Sequence, residues 1–186
     1  MKGRQLYLVL FALFFAFPTC RSQAQNTFRS KQGTVSVDAM YFGHAFTAHT
    51  KAVEVSLDYE TSDIILMLNP KVVHTGIDSI DQRLKAIDNI WRLRGSLNLG
   101  RINTTTHTPQ NFLLTGILEL PPNHRQTIKG IGRLEHIGGG EGMACELAFY
   151  FDLELGSLGL SPTTGLSGGE NLVKVQFFET VLKKVN

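Results

Sequence analysis

The chain has 186 residues, of which 42% are hydrophobic and 18% charged, and a formal charge of +2. With two cysteines it cannot be a disulfide-dense scaffold, and its size suits one domain with a sizeable core. The small basic excess also sits in the wrong place for a nucleic-acid-binding surface, as the first segment shows.

Lys2 and Arg4 form a basic head, and Leu6 to Phe17 (LYLVLFALFFAF) is an unbroken apolar run of twelve residues. Pro18 ends the run, and Ser22-Gln23-Ala24 places small residues three and one positions before a cut. This pattern predicts a secretory signal peptide over residues 1–24, cleaved after Ala24. The run falls short of the roughly 20 apolar residues that span a bilayer. A buried N-terminal helix is the plainer alternative. Removing Lys2, Arg4 and Arg21 from 18 basic residues leaves 15 against 16 acidic ones, a formal charge of −1. The mature protein is then near neutral, periplasmic or secreted, with no transmembrane segment and no nucleic-acid partner. Cys20 has a second reading, as the lipid-bearing cysteine of a bacterial lipoprotein, but Phe17-Pro18-Thr19 fits that signal poorly. Cys145 is left as a single buried thiol.

The mature chain reads as strands. Val35, Val37, Ala39 and Tyr41 alternate with polar positions, and the phase slips near Phe42, where Gly43 predicts a bulge or sharp bend. Val53 to Tyr59 and Asp63 to Leu68 are the second and third runs. Ser79 to Trp91 breaks the pattern: Ile80, Leu84, Ile87 and Trp91 share a helical face, with Ser79 as cap and Gln82 completing a capping box. Phe112 to Leu120 and Thr127 to Leu134 are strands again. Met143 to Leu155 is the clearest, with every odd position apolar, and Leu172 to Val181 closes the chain. Seven strands, one helix and turns at Pro121-Pro122-Asn123, Gly138–Gly142 and Ser161–Gly169 favour a sandwich or a barrel. Strand parity alone does not choose between them.

Catalytic constellations are weak. Gly165-Leu166-Ser167-Gly168-Gly169 matches a nucleophile-elbow string, but an elbow joins a strand to a helix, and here Ser161-Pro162-Thr163-Thr164 precedes it and a strand follows. The six histidines form no ligand pair of zinc-site spacing. Gly138-Gly139-Gly140-Glu141-Gly142 lacks the Lys-Ser/Thr ending of a phosphate loop. Asn103-Thr104-Thr105 is a glycosylation acceptor only in a secretory eukaryote.

Four segments carry a resemblance. Thr75-Gly76-Ile77-Asp78-Ser79 through Arg83-Leu84, the strand Phe112 to Leu118, the segment Phe151 to Leu160, and Leu172-Val173-Lys174-Val175 resemble the YceI-like family of bacterial periplasmic proteins. Departures occur where the family's helix Asp and His fall on Leu84 and Ala86, and where its Asp-Phe-Gly-Ile ending meets Ser157 and Leu158. The resemblance implies that residues 25–186 form a YceI-like domain, an all-β antiparallel lipocalin-like barrel of about eight strands with one short helix. It also implies an apolar tunnel for a polyisoprenoid or quinone tail, with no other cofactor. The wall is expected from Phe112, Leu114 and Leu118 on one strand and Leu147, Phe149, Phe151 and Leu153 on another. Function is then binding or sequestration of a long apolar lipid, without catalysis. The alternatives are a surface adhesion or assembly module with a filled core, and a hydrolase using Ser167.

Overall fold

The computed structural model describes residues 26–41, 43–103, 108–120, 124–138, 144–154 and 172–185. Eight antiparallel strands close on themselves: β1 Thr27–Tyr41, β2 His44–Asp58, β3 Asp63–Leu68, β4 Trp91–Leu97, β5 Gln110–Leu120, β6 His124–Ile137, β7 Ala144–Glu154 and β8 Leu172–Lys184. Each pairs with its chain neighbour, and β1 pairs with β8 to seal the barrel. The lipocalin-like barrel expected from the sequence is the observed fold. The expected leader, Ser167 and its glycines, and the turn expected at Pro121-Pro122-Asn123 lie outside the described residues.

Side chains of successive residues point to opposite faces of a strand, so one parity fills the barrel and the other meets solvent. β5 sends Phe112, Leu114, Leu118 and Leu120 inward, and β7 sends Cys145, Leu147, Phe149, Phe151 and Leu153. Seven apolar runs become eight strands because Trp91–Leu97 is a strand. Trp91, Leu93 and Leu97 turn inward while Arg92 and Arg94 stay toward solvent, and β4 pairs with both β3 and β5.

The helix expected over Ser79–Trp91 is therefore shorter. Helix α1 covers Asp78–Lys85 and ends at Ala86. Pairing on two sides holds β4 extended, which outweighs the helical spacing of Ile87 and Trp91. Ser79 is not the cap either. Ile77 holds that position without a side-chain bond. The Asp81 carboxylate instead accepts from the Thr75 N–H at 2.9 Å and from the Thr75 hydroxyl at 2.5 Å. Thr75 in turn accepts from the Ile77 N–H at 3.1 Å. The phase slip near Gly43 is a hairpin turn: Tyr41 pairs with His44, and Gly43 has a φ of +76°, which glycine adopts without strain. The irregular pairing of β1 lies elsewhere, around Gly33.

The core has two parts. Toward one end, Phe28, Leu57, Ile64, Leu134, Leu147 and Leu182 are 0–1% exposed and form a packed plug, with a small half-polar pocket beside Phe28 and Tyr59 at its outer edge. Phe28 stacks on Tyr59 with ring centroids 3.9 Å apart, and Tyr59 meets His136 edge-on at 5.5 Å. At the other end the β1–β2 hairpin runs past β3, which pairs with β2 only from Val53 to Leu57. His49 bridges to His74 there, and Ala48, Val73 and Leu84 form a satellite cluster under α1. Val37, Phe46, Leu68 and Trp91, all partly buried, pack against both clusters and join this cap to the barrel.

Candidate ligand cavity

Between plug and cap the packing opens. Val35, Leu66, Leu118, Phe151, Leu153 and Val175 each keep 6–8% exposure, against the near-zero values of the plug. They wall a cavity of about 90 Å³. Val37, Leu68 and Trp91 line it on the cap side, and Phe149 and Phe177 line it on the plug side. All thirteen lining residues are apolar. The volume is small beside the roughly 300–1,000 Å³ of ordinary small-molecule sites.

Of the seven wall residues expected from the sequence, all face inward and are buried. Leu118, Phe149, Phe151 and Leu153 line the cavity. Phe112, Leu114 and Leu147 do not border it and belong to the packed part of the core. Val35, Val37, Val53, Val175 and Phe177 join the lining from strands whose alternation was visible in the sequence, and Leu66, Leu68, Leu93 and Trp91 of β3 and β4 complete it. Trp91 was hidden by its helical spacing.

A larger groove of about 650 Å³ runs over the outside of β5 to β8. Leu113, Ile131, Tyr150 and Phe178 form its apolar surface, and each is 43–54% exposed. Ile131 pairs with both Leu113 and Tyr150, so these side chains make one row across the sheet. The Lys174 ammonium sits 4.8 Å from the Tyr150 ring centroid. An apolar chain laid here would keep one side in water, whereas the inner cavity is walled by apolar side chains from seven strands. Burial therefore favours the smaller site per carbon held.

The cavity carries no acid, base or nucleophile. Titratable groups inside the barrel lie in the plug instead. Cys145 is free and buried; burial pushes its thiol up to about 12, only partly offset by the Tyr59 hydroxyl and a Leu182 backbone bond. Burial likewise raises the Tyr59 phenol, with Cys145 adding to the effect. Among the described residues no group of three or more His, Cys, Asp or Glu could hold a metal ion. Nor is any described helix long and apolar enough to cross a membrane.

Two solved structures share this architecture. A polyisoprenoid-binding domain from Saccharophagus degradans, implicated in plant cell wall breakdown, superposes with a TM-score of 0.63 at 10% identity, covering 85% of this chain and 97% of that one. The fold is that of the lipocalin-like barrels. BcnA of Burkholderia cenocepacia superposes with a TM-score of 0.50 at 9% identity, over 81% of this chain and 94% of that one. The YceI-like resemblance of the sequence is thereby matched by a likeness of fold. No family model and no curated protein matches the chain in sequence.

Proposed function

We propose that this protein binds the apolar chain of a lipid inside its barrel and acts as a carrier or sequestering protein without catalysing a reaction. One observation carries the reading: a cavity with a wholly apolar lining lies inside the barrel, between the packed plug and the helical cap. The structural neighbour from Saccharophagus degradans is itself a polyisoprenoid-binding domain, which supports an isoprenoid as the ligand class. The signal-peptide pattern read over residues 1–24 favours work outside the cytoplasm.

Magnitudes temper the affinity. Burying a five-carbon isoprene unit contributes about 4 kcal/mol at about 0.8 kcal/mol per carbon. Alone, that corresponds to a Kd of about 1 mM before the costs of association. Two units reach about 1 µM on the same scale. Native mass spectrometry of protein purified from its own host tests the reading. An added mass released by organic solvent is expected, and protein that is empty in every preparation would sink it. A second reading, a surface assembly module, draws on the outer groove. It predicts an empty barrel and loss of partner binding on Ile131→Lys.

A further inference from the structure

The cavity has a floor, and the floor is made of rings. Phe149 and Phe177 are cross-strand partners on β7 and β8, and their rings stack with centroids 4.8 Å apart at 17°. Gly132 of β6 pairs with Phe149 on one side and with Phe112 of β5 on the other. Its missing side chain makes room for the rings. A Cβ there would collide with Phe112 Cζ and lie 2.5 Å from Phe149 Cβ. On β1, a Cβ at Gly33 would lie 2.8 Å from Phe177 Cζ. Glycine, phenylalanine, phenylalanine, glycine and phenylalanine thus follow one another across five adjacent strands, β1, β8, β7, β6 and β5. This belt separates the hollow part of the barrel from the plug.

We infer that Phe149 and Phe177 set the chain length the protein accepts, admitting only the last one or two isoprene units of a lipid. The inference rests on the proposed lipid binding and narrows its ligand class. Two measures bound the space. From Phe149 to Leu153 the wall runs four residues, about 13 Å along the strand and about 10 Å along a barrel axis tilted by about 40°. A hydrocarbon with bonds of about 1.5 Å advances about 1.3 Å per carbon, so about eight chain carbons fit in that depth. The volume is stricter. A buried cavity of about 150 Å³ holds benzene, and this one has about 90 Å³. A longer tail must leave its remainder outside the floor's reach.

The chain's one tryptophan, Trp91, lines the cavity and reports binding directly. Isoprenols of five, ten, fifteen and twenty carbons are titrated against its fluorescence. Wild-type affinity should rise about tenfold or more from five to ten carbons and change less than about threefold beyond. Phe177→Ala, and the milder Phe149→Leu in case the first fails to fold, should move that plateau to fifteen carbons or more. Leu66→Phe, which fills the cavity from the wall, should abolish the gain at ten carbons. A wild-type affinity that climbs steadily to twenty carbons, or a plateau unmoved in the folded variants, overturns the floor while leaving lipid binding intact. No binding at any length by any folded protein overturns the lipid-binding reading and the floor with it.

Discussion

Gly132→Ala should destabilise the barrel by about 1–3 kcal/mol, the usual cost of forcing atoms into a packed core. The new Cβ would lie 2.6 Å from the Ala148 carbonyl oxygen and 2.5 Å from Phe149 Cβ, and would collide with Phe112 Cζ. The first of these is backbone and can yield only by moving β7 against β6, while the Phe112 ring can swing. For a domain of this size, 1 kcal/mol lowers Tm by about 2–4 °C, so a fall of about 2–12 °C is expected in a thermal melt followed by circular dichroism. Phe112→Leu removes the Cζ contact. Gly132→Ala should therefore cost less in a Phe112→Leu background than in the wild type, by a coupling of about 0.5 kcal/mol or more. Gly132→Ala melting within 1 °C of wild type, or an equal cost in both backgrounds, would refute the claim that this glycine seats the rings.

Three further outcomes follow from named groups. Thr75 donates to Asp81 and holds its carboxyl below the usual range, so this contribution is present above the unfolded pKa near 4 and is lost as pH falls through the lower folded value. Asp81→Asn should flatten that acid limb of a Tm–pH curve, by less than about 1 kcal/mol because the site is open to solvent; an unchanged limb refutes the assignment. Cys145 should resist iodoacetamide at pH 8 in the native protein and react after unfolding, and native labelling would contradict its burial. Intact-mass analysis of the mature protein should place its N-terminus at Gln25, whereas a lipidated Cys20 would replace the released form with an anchored one.

Much of the barrel was legible from parity. β5 and β7 show their inward residues by strict alternation, because a half-buried strand has a period of two and nothing competes with it. β4 was not legible, because Trp91 satisfies two periods at once: it is four residues past Ile87 on a helix and two before Leu93 on a strand. Only its pairing with both β3 and β5 decides, and pairing is long-range. The helical spacing still marked a real surface, since Ile80, Leu84, Ile87 and Trp91 all pack in the satellite cluster. Hollowness was invisible for a different reason. Leu147 and Leu153 look alike in sequence, yet one lies in the plug and the other borders empty space. That difference depends on the volumes of side chains from six other strands. Asp81 acting as the partner of Thr75 was likewise hidden behind the more familiar Ser79 capping pattern.

The central claim is an apolar ligand held between Trp91 and the Phe149–Phe177 pair. A crystal structure of protein purified from its own host, without refolding or detergent, tests it most directly. Continuous elongated density ending on the two rings is the result this account predicts. A barrel in which that space is empty, or is filled by shifted side chains, would contradict it.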